Sequence, residues 1–195
     1  MQSPINVVEM RIVGFIPIKT NNQRTPGKNT RRLSDGTPIC NLIFNTMLQV
    51  SEIDDVYCFC SDDEIKNYIP SGITLIKRSP NLDSPETTGN DLIEAFMKSV
   101  DADIYVQAHV TAPFLASNTI SECINAVLSG RYDSSTTVCA LRDFIWDDSG
   151  PINYDPSDIV RTQDLPNLYR GDIPLNRHSV HRSQKEHSTA SELSG

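Results

Sequence analysis

The sequence is short of positive charge. Seventeen lysines and arginines face 25 aspartates and glutamates over 195 residues, a formal net charge of −8. A chain of that sign repels a phosphate backbone, which argues against general nucleic-acid binding. No apolar run approaches the roughly 20 residues that cross a bilayer. Residues 1–10 carry no basic segment followed by an apolar core, so neither a membrane helix nor a signal peptide is expected. Cysteine is scarce and odd in number: Cys40, Cys58, Cys60, Cys123 and Cys139. Thiols in apolar stretches point to a reduced, cytoplasmic protein rather than a disulfide framework. Cys58 and Cys60, one residue apart in a strand-like run, are expected on opposite faces. A cysteine-ligated metal is not expected, since such sites normally gather four N or S ligands. The phosphate-loop pattern GxxxxGK followed by Ser or Thr is absent, and so is the dinucleotide pattern GxGxxG.

What is present is an alternation. Strand-like runs occupy residues 11–18 (RIVGFIPI), 56–60 (VYCFC), 74–77 (TLIK), 104–110 (IYVQAHV) and 136–141 (TTVCAL). Between them lie helical segments. Residues 38–50 keep helical spacing at positions 39, 42, 43, 47 and 50, with Pro38 at the entry. Residues 62–68 form a short helix closed by Pro70. Residues 90–100 follow Thr88 and Asp91, a capping-box pair. Residues 117–128 carry apolar side chains at 120, 124, 127 and 128. Single helices between strands imply an α/β fold: three layers around a largely parallel, Rossmann-like sheet. The composition suits one domain over residues 1–170. Residues 171–195 read as a polar tail, disordered or loosely packed, and the grouping of His178, His181 and His187 reads as part of that tail rather than as a metal site.

An open parallel sheet binds ligands beyond the carboxyl ends of its strands. The polar clusters of this chain follow its strands: residues 19–28 (KTNNQRTPGK), then Ser61, Asp62 and Asp63, then Glu86, Thr87 and Thr88, then residues 107–113 (QAHVTAP). Four segments distant in sequence would thus meet at one edge. The first loop carries Lys19, Arg24 and Lys28 among small and amide residues, with a Pro26–Gly27 turn, a composition suited to anionic oxygens. His109 reads as a local strand-end residue, and Phe144 and Trp146 as packing residues.

These residues carry a resemblance. Residues 16–29 (IPIKTNNQRTPGKN) are similar to the N-terminal motif of cytidylyltransferases that activate acidic sugars, IPARGGSKGIPRKN in the acylneuraminate branch and IPARYASSRLPGK in the Kdo branch. Ile16, Pro17, Pro26 and Lys28 match both, Asn29 the first, Arg24 and Gly27 the second. Residues 61–65 (SDDEI) resemble STDDEEI, residues 82–91 (LDSPETTGND) resemble LASDTASSID, residues 107–115 (QAHVTAPFL) resemble QPTSPLR with two extra residues, and residues 161–170 (RTQDLPNLYR) resemble RRQDLPPVYR.

The resemblance implies the nucleotide-diphospho-sugar transferase type of fold. It also implies a reaction in which a sialic-acid-like 2-keto sugar acid and CTP give a CMP-sugar and pyrophosphate. Magnesium is the implied cofactor, the implied location is cytoplasmic, and a homodimer is expected. By the same resemblance, Lys28 and Lys19 stabilise charge on the phosphates. Asn22, Arg24, Thr88 and Gln107 hold the nucleotide. Arg161, Gln163, Tyr169 and Arg170 handle the sugar acid, with Arg161 as carboxylate partner.

Two departures stand out. Residues 19–23 (KTNNQ) replace RGGSK, so a lysine stands where the motif has a two-pronged arginine. After Arg170 the family's following strand and its acidic, metal-holding segment are not visible, and no metal ligand is assigned. The same gap leaves open a binding-only remnant that holds nucleotide without turnover, or a transferase for another nucleotide or sugar.

Overall fold

A strand buried on both faces needs a cover on each side. In the computed structural model, which describes residues 10–21, 25–171 and 179–182, Ile12–Ile18 (β1) is that strand. Its Ile12, Ile16 and Ile18 join one apolar cluster, and Val13 and Phe15 join another. Helix α1 (Ile39–Leu48) places Cys40, Ile43, Phe44 and Met47 in the first cluster. Helix α2 (Gly89–Met97) places Phe96 in the second, and α3 (Ser117–Leu128) returns Ile120, Ile124 and Val127 to the first. The sheet is therefore the middle of three layers. At Gly14 a Cβ would lie 2.5 Å from the Met47 terminal methyl, so a larger residue there would displace the flexible end of that side chain.

The other strands are β2 (Asp55–Cys60), β3 (Ile73–Lys77), β4 (Ile104–Gln107), β5 (Ser134–Thr136), β6 (Val138–Leu141), β7 (Trp146–Asp147), β8 (Gly150–Pro151), β9 (Leu168–Gly171) and β10 (Ser179–Arg182). The main sheet runs β3-β2-β1-β4-β10-β5. Its first four strands are parallel, and β10 lies antiparallel between β4 and β5. Strands β6 and β9 form one antiparallel ribbon, and β7 and β8 another. The α/β, largely parallel architecture expected from the alternation is the one found. The helix over 62–68 is a 3-10 turn, Asp63–Asn67.

Three expectations need correction. Cys58 and Cys60 share the first apolar cluster, and Phe59 between them faces the second. Strand side chains repeat every two residues, so positions i and i+2 fall on one face. Residues 136–141 are not one strand. The chain leaves the main sheet after Thr136, and Val138–Leu141 pairs with β9 instead. No glycine or proline marks that break, because its cause is a partner some thirty residues away in the chain. Finally, the polar tail contributes β10, whose backbone pairs with both β4 and β5. Four residues are too few to display a period, and ladder bonds from two neighbours hold such a strand without one. His178 and His187 lie outside the described residues.

Candidate functional site

Parallel register decides which residues share an edge. Ile18 stands opposite Cys60, Cys60 opposite Lys77, and Phe15 opposite Gln107. The chain thus leaves β1 at Lys19, β2 at Ser61, β3 at Arg78 and β4 at Ala108, all on one rim. From β1 the strand order steps one way to β2 and β3 and the other way to β4. A sheet whose order reverses leaves a crevice at that point. A cleft of about 190 Å³ lies on this rim, walled by Lys19, Arg78, Asp83, Ser84, Thr87 and His109 over an apolar floor of Pro17, Leu82 and Leu92.

The wall is dominated by a buried arginine. The Arg78 side chain is 3% exposed. Its Nη1 donates to the Phe59 carbonyl at 3.0 Å and its Nη2 to Asp83 Oδ1 at 2.6 Å. The guanidinium carbon lies 5.6 Å from the Phe59 ring centroid, and Nε is buried without a hydrogen-bond partner. A desolvated charge persists only when it is paired, and Asp83 is the pair. The second Asp83 carboxylate oxygen accepts from the Ser61 hydroxyl, and its carbonyl accepts from the Lys19 ammonium.

The loop after β1 is tied at both ends. Thr20 Oγ1 donates to Asp62 at 2.7 Å, and the buried Asn29 donates from Nδ2 to the Lys19 carbonyl at 2.8 Å. Asp62 also caps the 3-10 turn by accepting from the Glu64 amide at 2.9 Å. That amide first, and the Thr20 hydroxyl second, hold its carboxyl below the usual range. Gly27 turns the loop at φ 65°, a left-handed conformation that suits glycine, and places Lys28 exposed on the outer turn. Asn22 and Arg24 lie outside the described residues.

Thr88 is the N-cap of α2. Its hydroxyl accepts from the Asp91 amide at 3.2 Å, and the Asp91 carboxylate accepts from the Thr88 amide at 2.7 Å. Thr87 beside it faces the cleft. Gln107 is buried at the end of β4. Arg161, Gln163, Tyr169 and Arg170 are exposed and stand outside the cleft wall. Arg161 Nε donates to Asp164 at 2.7 Å, and Tyr169 and Arg170 pair through β9 with Ala140 and Cys139. Sequence reasoning missed Arg78 and Asp83 and gave His109 only a local role. Arg78 was recoverable, because it follows its strand as Lys19 and Ser61 follow theirs. Asp83 carried no such signal.

Among the described residues no three His, Cys, Asp or Glu side chains gather where they could hold a metal ion. The carboxylate in the cleft wall, Asp83, is engaged by Arg78 and Ser61. No magnesium ligand is assigned among the described residues, and no chemical step is routed through one. No helix among them is long and apolar enough to cross a membrane.

The strand order and the rim cleft define an α/β protein of the nucleotide-diphospho-sugar transferase type. The cytidylyltransferase family model matches residues 13–189, and the chain belongs to that family. The match runs past residue 170 and takes in β10. N-acylneuraminate cytidylyltransferase A of Danio rerio is 23% identical over 172 residues, covering 83% of this chain and 40% of that protein. 3-Deoxy-manno-octulosonate cytidylyltransferase 2 of Hydrogenovibrio crunogenus is 26% identical over 136 residues, covering 68% of this chain and 53% of that protein. The chain thus spans about half the length of these relatives, or less. The solved structure of a CMP:2-keto-3-deoxy-manno-octonic acid synthetase complexed with CTP superposes with a TM-score of 0.68 at 16% identity, over 88% of this chain and 74% of that one. At that identity the likeness speaks for the fold.

Proposed function

We propose that the chain is a cytidylyltransferase that activates a sialic-acid-like 2-keto sugar acid with CTP. The observation that carries the reading is the pair Lys19 and Arg78 in a cleft at the switch point of the sheet, within a chain of net charge −8. Two cations against the single Asp83 carboxylate leave the wall net positive, which suits a triphosphate. In the reaction the anomeric oxygen forms a bond to the α-phosphorus while the bond from that phosphorus to the leaving pyrophosphate breaks. The hydroxyl proton passes to solvent.

Catalysis of this kind rests on alignment and on stabilising charge that grows on the leaving group. Lys19 and Lys28 supply that charge. Asn22, Arg24, Thr88 and Gln107 hold the nucleotide, and Arg161, Gln163, Tyr169 and Arg170 receive the sugar acid. Magnesium would accompany CTP as the counter-ion of its phosphates, and no residue is assigned to hold it. A cytoplasmic location belongs to the same proposal, supported by five free thiols. So does a homodimer, supported by the apolar side chains exposed on and beside the β7–β8 ribbon, Phe144, Trp146 and Ile152 among them.

The test is incubation of the full chain with CTP, magnesium and a panel of nonulosonic acids, following pyrophosphate. Release with a member of the panel is expected, and none from folded protein overturns the reading. Running all four nucleoside triphosphates separates a transferase for another base. The sequence after Arg170, where the family's acidic segment is not visible, favours one second reading, a nucleotide-binding protein without turnover. Calorimetry would then register CTP or CMP binding with no pyrophosphate formed.

A further inference from the structure

We infer that Asp83 is a positioning residue that sets the orientation of Arg78, and through it the affinity of the cleft for nucleotide. The inference rests on the proposed CTP site and adds to it a residue that the family motif does not call for. Where this chain has Asp83, the motif LASDTASSID has alanine in the alignment given above.

Asp83 ends the 3-10 turn Pro80–Asp83, in the wall of the cleft. From there it gathers three strand ends. Its carboxylate takes Arg78 Nη2 after β3 at 2.6 Å and the Ser61 hydroxyl after β2. Its carbonyl takes the Lys19 ammonium after β1.

A carboxylate facing a triphosphate would repel it. Here one carboxylate oxygen is engaged by Arg78 and the other by Ser61, so the negative charge is neutralised by its own partners. The same contact fixes Arg78. One Nη is held by the Phe59 carbonyl, the other by Asp83, and the plane of the guanidinium follows from those two points. Nε remains buried without a partner. Removing Asp83 leaves a buried cation with one anchor and no counter-charge, and such a group turns toward water. In this site the direction of water is the cleft, so the displaced guanidinium would occupy the space that the nucleotide needs.

The closing experiment has two readouts. In wild-type protein, Arg78 should give resolved, slowly exchanging Nη–H signals by NMR. A freely rotating, averaged guanidinium in the wild type overturns the inference without any variant. In Asp83→Ala those signals should collapse. The KM for CTP should rise about tenfold with a smaller change in kcat, the cost of losing a charge-assisted hydrogen bond that orients a binding group. Asp83→Glu, which keeps both the acceptor and the counter-charge for Arg78, should retain the resolved signals and most of the affinity. An alanine variant that folds and keeps both the Arg78 signals and the wild-type KM overturns the inference. If the alanine variant does not fold, the wild-type signals decide. Averaged signals in the wild type then overturn it. Failure of the wild type to bind CTP defeats the functional reading alone. Arg78 signals that collapse in Asp83→Ala would still establish the positioning.

Discussion

The Thr20 hydroxyl donates to Asp62 Oδ2 at 2.7 Å, while Asp62 Oδ1 accepts from the Glu64 amide at 2.9 Å. One carboxylate thereby ends the turn after β2 and anchors the loop after β1. Thr20→Val removes the donor and keeps the shape. Loss of one hydrogen bond to a charged acceptor should raise the KM for CTP about fivefold. The midpoint of urea unfolding should hardly move, since the bond lies in a loop rather than in the core. Steady-state kinetics beside an equilibrium unfolding curve checks both halves.

Lys28 and Lys19 divide the work of charge stabilisation in the proposed reaction, and their settings differ. Lys19 donates to the Asp83 carbonyl in the cleft wall, and Lys28 stands exposed on the turn that Gly27 makes. Lys28→Ala should lower kcat about 100-fold, a barrier increase of roughly 2.7 kcal/mol, with CTP affinity less affected. Lys19→Ala should weaken CTP binding as well as turnover. An unchanged rate in Lys28→Ala removes that residue from the mechanism.

Much of this arrangement was legible in the residues. RIVGFIPI announces a strand buried on both faces, and Thr88 with Asp91 announces the start of α2, because burial and capping are local in cause. The rim was legible too, since parallel strands put their carboxyl ends together and polar clusters follow four of them. What escaped depends on distant partners. Residues 138–141 leave the sheet for β9, and residues 179–182 enter it between β4 and β5. Neither move has a signature in its own four residues. Asp83 escaped for the same reason, because its role lies in its contacts with Arg78, Ser61 and Lys19.

Phe96 carries the second face of the sheet. It stacks on Phe15 at 4.1 Å between centroids, with rings 9° from parallel, and meets Phe59 and Tyr105 edge-on at 5.4 and 6.2 Å. It is the fully buried residue that α2 contributes. Phe96→Ala should cost about 3–5 kcal/mol, the range for deleting a core aromatic and leaving a cavity. Phe96→Leu should cost clearly less. Urea denaturation followed by circular dichroism measures both. A loss under about 1 kcal/mol in the alanine variant would mean that α2 is not seated on this face as described.

Asp63 gives the fold an acid-sensitive contact. Lys66 approaches it at 2.8 Å and Lys77 bonds its other oxygen. Lys66 first and Lys77 second hold the carboxyl down to about 2, from an ordinary 3.8. A folded-state pKa below the unfolded one adds stability above the unfolded value, and that contribution fades as pH falls toward the folded value. Wild-type stability should therefore drop more steeply than that of Asp63→Asn between about pH 4 and pH 2, and the two should converge below that window. All three side chains are exposed, so the difference is small and screened by salt. Acid titrations of both proteins at low and high ionic strength test this. Identical slopes at low ionic strength would show that the pair of lysines does not hold Asp63 in solution.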